Sequence, residues 1–292
     1  MPLLEILSES AVAFTATVFI FSLMVGSFLN VVIYRLPVMM ENEWKVEARE
    51  FLELPSEAID KFNLSTPAST CPKCGHKIRP WENIPVLSYL FLRGKCSNCK
   101  TPISVRYPIV ELVTAGVSAL VAWQFGWSLT SFFLIPFFWM LISLTMIDAD
   151  TQYLPDIIVY PLLWIGLLAN AYEVNSYWGT DLRDAVFAAM AGYLALWGFS
   201  TLFKILRNKE GMGHGDFKLF AAFGAWFGIQ SLLPIILLSS VVGAVVGIIG
   251  IVAMGRDKEL RIPFGPYLCG AAAIYAFYGP QLLAWWQGVL MP

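Results

Sequence analysis

Seven stretches of this chain run with almost no charge: residues 12–33, 109–123, 131–147, 157–172, 185–206, 232–254 and 266–286. An eighth, residues 217–229, is shorter. A helix crosses the hydrocarbon core of a bilayer with about 20 mostly apolar residues. The pattern therefore predicts an all-α polytopic membrane protein with about eight membrane-embedded helices. Pro136, Pro161, Gly243, Gly247 and Gly250 fall inside or beside these stretches, where membrane helices tolerate them. The short sixth helix need not cross the bilayer. A partial helix is stable at that depth where protein or a wet cavity surrounds it.

The one sizeable hydrophilic region, residues 35–107, lies between the first and second helices. It holds 11 of the 19 Lys and Arg residues, whereas residues 1–10 hold none. Positive charge beside a span favours the cytoplasmic side, so the N-terminus is expected outside and this loop inside. The cytoplasmic turns are then 148–156, 207–216 and 256–261. The expected domains are residues 1–34, the first transmembrane segment; 35–107, a cytoplasmic loop domain; and 108–292, a membrane core. Composition agrees: 58% of residues are hydrophobic and 14% charged, against roughly 25% charged in soluble domains. The net charge of −2 gives no support to a nucleic-acid partner. No Lys or Arg precedes the first apolar segment, so it does not read as a cleavable signal peptide.

Against this background two aspartates stand out. Asp148 ends the third apolar run, and Asp216 closes Gly211-Met212-Gly213-His214-Gly215-Asp216 before the sixth. An ionisable group at such a place costs roughly 2.5–3.5 kcal/mol on insertion scales and marks a functional site. Two neighbouring carboxylates cannot both ionise cheaply, so they share a proton. One then activates water while the other protonates a carbonyl, which is the division of labour that metal-free peptide hydrolysis needs. The glycines before Asp216 would permit unusual backbone conformations and close approach of a peptide. A helix start at Asp216 favours the ionised form through the dipole. The plainer alternative is a capping or loop aspartate. Asp148, Asp150 and Asp156 crowd one turn, and spacing alone leaves open which of them points inward.

A second constellation is Cys71-Pro72-Lys73-Cys74 with Cys96-Ser97-Asn98-Cys99. Two such knuckle pairs fit a tetrahedral four-thiolate zinc site in a small ribbon-like loop. Disulfides are disfavoured on the cytoplasmic side. A closed four-thiolate site leaves no position for substrate water, so the expected role is structural, as a staple for a loop with little core. Nucleic-acid binding by the ribbon is opposed by the eight acidic residues around it. Cys269, in the last apolar stretch, reads as a small buried apolar residue. Glu111 and Asn30 are expected to cap or pair with backbone, His214 to lie in a loop, and Lys218 to snorkel to the interface. Gly243 and Gly247 form a close-packing pattern.

The two aspartate stretches, Ile147-Asp148 through Leu154-Pro155-Asp156 and Gly213-His214-Gly215-Asp216-Phe217-Lys218, resemble the motifs of the type IV prepilin peptidases. These are the bacterial Gly-x-Gly-Asp membrane aspartic proteases. The resemblance extends to Gly26-Ser27-Phe28-Leu29-Asn30 with Arg35-Leu36-Pro37, to both cysteine pairs and to Trp81-Glu82-Asn83-Ile84-Pro85. It also takes in Arg106-Tyr107-Pro108 with Glu111, and Pro263-Phe264-Gly265-Pro266-Tyr267. It covers nearly the whole chain.

That resemblance implies a bifunctional enzyme of the bacterial inner membrane. Its first activity removes the basic leader of prepilins and pseudopilins on the cytoplasmic side. Its second methylates the new N-terminal amine with S-adenosylmethionine. The family's aspartates map onto Asp148 and Asp216. No glycine-rich nucleotide loop independently marks a site for S-adenosylmethionine, and a protease without methyltransferase activity is the alternative. Two rivals come from other classes. A proton-coupled transporter would relay protons through intramembrane aspartates, yet the chain has no second copy of the Gly-x-Gly-Asp element that paired broken helices would require. An assembly factor with a docking loop would leave the aspartates dispensable.

Overall fold

The computed structural model describes residues 2–55, 61–172, 174–209, 211–254 and 262–290. The expected cytoplasmic turn at 256–261 lies outside the described residues. All eight apolar stretches are helices, as the hydropathy pattern predicts. Among the described residues, five helices are long and apolar enough to cross a membrane by length and composition, which makes this a multi-pass membrane protein. The chain divides into two compact units, Met1–Ser143 and Leu144–Pro292.

In the first unit, α1 (Pro2–Glu9) leads to Ser10, whose hydroxyl caps α2 (Ala11–Phe51) by accepting from the Ala13 N–H at 3.2 Å. Helix α2 has 41 residues, about 60 Å at 1.5 Å per residue. It therefore runs well past residue 33, where the apolar pattern stops. The extension is built of strong helix formers such as Met39, Glu43, Glu47 and Arg49, and it passes through Pro37. Ser22, Gly26, Leu29, Asn30 and Ile33 form its buried stripe at three- and four-residue steps. A 3₁₀ turn at Pro80–Asn83 and the short α3 (Leu87–Phe91) precede α4 (Arg106–Phe125). Helix α4 packs along α2 through Glu111 and Thr114. A Cβ on Gly26 would lie 2.8 Å from the Glu111 Cα, so the small residue sets how closely the two helices approach. Helix α5 (Leu129–Thr151) begins in this unit, where the Trp139 indole donates to the Ser118 hydroxyl at 3.0 Å.

The second unit takes the end of α5, then α6 (Asp156–Ala171), α7 (Leu182–Arg207), α8 (His214–Phe227), α9 (Ile229–Met254) and α10 (Gly265–Leu290). Helix α8 is the centre. Every residue from Asp216 to Phe227 is buried except Lys218, and α6, α7, α9 and α10 all pack on it. At 14 residues it is about 21 Å long, too short for a core of about 30 Å. Close packing fixes its place. The backbone of α8 nears that of α7 where Gly192 faces the Phe220 carbonyl and Gly224 faces that of Ala188. The Trp226 indole lies against Gly166 of α6 and donates to the Leu162 carbonyl at 2.8 Å. The Asn170 amide donates to the Ala225 carbonyl at 2.8 Å.

Candidate active site and cysteine centre

The apolar run of α5 carries Asp148 into the interior three residues before the helix ends. Leu144 and Ile147 are fully buried beside it, and Asp148 itself is 4% exposed. Its Oδ2 accepts the Gly265 N–H at 2.9 Å, which ties the end of α5 to the start of α10. Asp216 stands in the first turn of α8 and is 8% exposed. Its Oδ2 accepts the N–H of Gly213, the N-cap, at 3.3 Å. The first turn of a helix leaves its N–H groups without intrahelical partners, so a carboxylate is stabilised there. The two carboxyl groups come close enough for the charge of Asp148 to act directly on Asp216.

Of the three acids that the sequence leaves undecided, Asp148 alone is buried. Asp150 is exposed. Asp156 takes both its oxygens to the Lys218 ammonium, at 2.8 and 2.7 Å, with that ammonium also over the Tyr160 ring. Lys218, itself partly exposed, thus bridges α8 to the start of α6. His214 likewise differs from the loop residue expected: it opens α8 and sets its ring edge-on to Phe217.

The glycines around Asp216 act through space and not through unusual torsions. Gly213 has φ −79°, an ordinary value. A Cβ on Gly215 would lie 2.8 Å from Leu154 Cβ, and one on Gly265 would lie 2.7 Å from Asp148 Oδ2 and 3.2 Å from Leu154 Cδ2. Leu154 therefore wedges between the two glycines that flank the carboxylates. Gly265 and Leu154 are the site residues that residue-level reading missed. Both lie in stretches that carry the family resemblance, and the signal was a glycine held between Phe264 and Pro266 at a helix start.

The first unit brings the four cysteines together. The Sγ atoms of Cys71, Cys74, Cys96 and Cys99 all lie within 4.8 Å of one another, so they could hold a metal ion. Cys71 to Cys99 measures 3.8 Å and Cys74 to Cys96 4.0 Å. Both exceed an S–S bond by far and match the edge of about 3.8 Å of a tetrahedron with Zn–S bonds of about 2.3 Å. The two knuckles repeat one geometry. Cys71 N–H donates to the His76 carbonyl and Cys96 N–H to that of Thr101, each at 2.9 Å. Four residues after the first cysteine of each pair, Gly75 (φ +68°) and Lys100 (φ +58°) both turn left-handed. The glycine adopts this freely, and the lysine is held there by the turn. The Thr101 hydroxyl, 3.2 Å away, lowers the Cys99 thiol to about 6, toward the thiolate form that metal binding needs.

Behind the knuckles, Glu82 joins them. Its Oε2 accepts the Arg79 N–H at 2.9 Å and pairs with His76 at 3.1 Å, while Ser97 reaches the same imidazole at 3.2 Å. The Arg79 N–H foremost, then Ser97 and His76, pull the Glu82 carboxyl down to about 2. Deeper in the unit, Asn30 donates to the carbonyls of Gly26 and Tyr107, and Glu111 accepts the Val86 N–H at 2.7 Å. Both do the backbone pairing expected of them. Cys269 is buried at 2% exposure, in keeping with its apolar reading.

Comparison with known proteins covers both units. A family model described as the bacterial peptidase A24 N-terminal domain matches residues 20–125, and one described as the type IV leader peptidase family matches residues 135–248. A prepilin leader peptidase/N-methyltransferase of Pseudomonas aeruginosa is 50% identical over 283 residues, 97% of this chain and 96% of its own. Proteins of the same name are similar in Neisseria gonorrhoeae (50% over 267 residues, 91% and 90%) and in Legionella pneumophila (46% over 274 residues, 93% and 94%). No solved structure matches the chain.

Proposed function

The chain belongs to the type IV leader peptidase family, and on that premise we propose that it cleaves the basic leader from prepilins and pseudopilins with Asp148 and Asp216, then N-methylates the new N-terminus. The observation that carries the reading is the placing of two buried carboxyl groups, 68 residues apart in sequence, on either side of Leu154, each held by one glycine N–H. In such a pair one member is a carboxylate and the other a carboxylic acid. The carboxylate takes a proton from water as the water oxygen bonds to the scissile carbonyl carbon. The acid gives its proton to the carbonyl oxygen. The carbon–nitrogen bond then breaks as the departing amine takes a proton from the pair and a hydroxyl of the tetrahedral carbon returns one to it, so the pair, which titrates as a unit, ends as it began. The glycine N–H groups keep both side chains in place throughout. Lys218 holds Asp156, the remaining acid of that turn at the start of α6, in an ion pair.

The cysteine centre takes zinc as a structural ion in this reading. Four thiolates fill its coordination, so it supplies stability to the loop and no chemistry to the substrate. S-adenosylmethionine supplies the methyl group that the new amine receives. The enzyme works from the inner membrane of a bacterium, with the N-terminus periplasmic and the site facing the cytoplasm.

The test is reconstituted cleavage of a prepilin by wild type, Asp148→Asn and Asp216→Asn, read by mass spectrometry with and without S-adenosylmethionine. Loss of the leader in wild type alone, with a methyl-sized mass gain when the cofactor is present, is the expected result. Cleavage without the gain leaves a protease only. A folded wild type that cleaves no prepilin removes the reading.

A further inference from the structure

A groove of about 550 Å³ lies in the second unit between α7, α9 and the start of α10. Leu196 and Phe220, both buried, form its floor, while the exposed Ala195 and Phe199 of α7 face Ser240 and Ala244 of α9 across it. One end is built by Met212 and Phe264. Each of these precedes by one residue a glycine whose N–H holds a site carboxylate, Gly213 for Asp216 and Gly265 for Asp148. The groove therefore runs straight into the backbone that positions the aspartate pair.

Resting on the proteolytic reading above, we infer that this groove seats the apolar helix of the substrate, next to the bond to be cut. Its size suits that occupant. A helix 10–12 Å across with a pitch of 5.4 Å fills about 500 Å³ per turn, so the groove accepts about one turn. Its walls suit it too: alanines and a serine facing each other on α7 and α9 let a helix backbone come close, as small residues do at helix contacts in membranes. A lipid chain would fill the same apolar space but would bring no peptide bond to the end where Met212 and Phe264 adjoin the glycines that hold the carboxylates. The basic leader of the substrate is excluded from so apolar a channel and stays beyond that end, which places the junction of helix and leader at the site.

The test uses the full chain in liposomes with two substrates, an intact prepilin and a peptide that carries the leader and scissile bond but lacks the apolar helix. Ala195→Trp and Ala244→Trp fill the groove from exposed positions on either wall. The expected result is that the wild-type preference for the intact substrate falls by about tenfold in each variant, through KM. A preference unchanged in both variants overturns the proposal. So does an equal loss on both substrates, which would mean that the tryptophans disturb the aspartates instead. Wild type that cleaves neither substrate would count against the proteolytic reading itself. Independently, a photoreactive phenylalanine analogue at Phe199 should couple to the helix of the intact substrate. Coupling to lipid alone, or to a second copy of this chain, overturns the assignment.

Discussion

The molecule holds two clusters of groups with special chemistry, and they are made in opposite ways. The cysteine cluster is assembled from two local turns, each complete within six residues, that repeat the same backbone bonds. It lies in the loop-rich part of the first unit, with Cys74 and Cys99 reaching the surface. The aspartate pair is assembled from three helices, with Asp148, Asp216 and Gly265 spread over 117 residues of chain. It is buried in the second unit. In a cluster built from local turns, each knuckle's backbone is defined by its own residues. A cluster built from helix ends depends on every helix that contributes to it.

The largest expected effect tests the buried cluster directly. Asp148→Asn or Asp216→Asn should lower prepilin cleavage by a factor of about 10²–10⁴ or more, with insertion and helicity retained by circular dichroism. Asp150→Asn should leave cleavage near wild type; a collapse in that variant with activity kept in Asp148→Asn would show that the wrong acid is assigned. Next comes Gly265→Ala. Its Cβ would fall 2.7 Å from Asp148 Oδ2, and displacing a reacting group by about 1 Å costs about 10²-fold. A wild-type rate in this variant would mean that Gly265 does not set the carboxylate's position.

The local cluster should yield in another currency. Replacing any one of Cys71, Cys74, Cys96 or Cys99 by Ser should remove the metal, read as zinc per chain by elemental analysis, and expose the loop to trypsin. Metal content equal to wild type in all four would remove the site. Glu82→Gln should keep the metal but weaken its retention against a chelator by about tenfold, the usual cost of losing a group behind the ligands. The smallest effect belongs to Lys218→Met. Its ion pair with Asp156 is partly exposed, so the stability lost should stay within about 1 kcal/mol. A larger drop would show that the α6–α8 bridge matters more than its exposure suggests.

The two clusters were not equally legible. Eight helices follow from unbroken apolar runs, and the cysteine centre follows from a spacing that chemistry allows few uses for. Where α2 ends was not legible, because its extension to Phe51 mixes charged and apolar residues, passes through Pro37 and carries no membrane signal. The choice of Asp148 over Asp150 and Asp156 was open on spacing alone. What separates them in space is the last turn of α5, which sets Asp148 against Gly265 of α10, and an ion pair, Lys218 to Asp156, that joins residues 62 positions apart. Leu154 escaped notice for the same reason: a leucine in a turn has no signature until two glycines are folded onto it.

The brevity of α8 also dictates an order of events as the protein is made. A segment of about 21 Å with a carboxyl group at its head has little tendency to partition into lipid alone. The earlier helices α6 and α7 form most of its enclosure, and α9 and α10 complete it. The amide that steadies Asp148 belongs to Gly265, at the start of the last of those helices. A half-made chain therefore has both aspartates and no working pair. On the reading that Asp148 and Asp216 react together, a chain made only as far as α9 would lack the Gly265 amide that holds Asp148, and would be expected to cleave nothing.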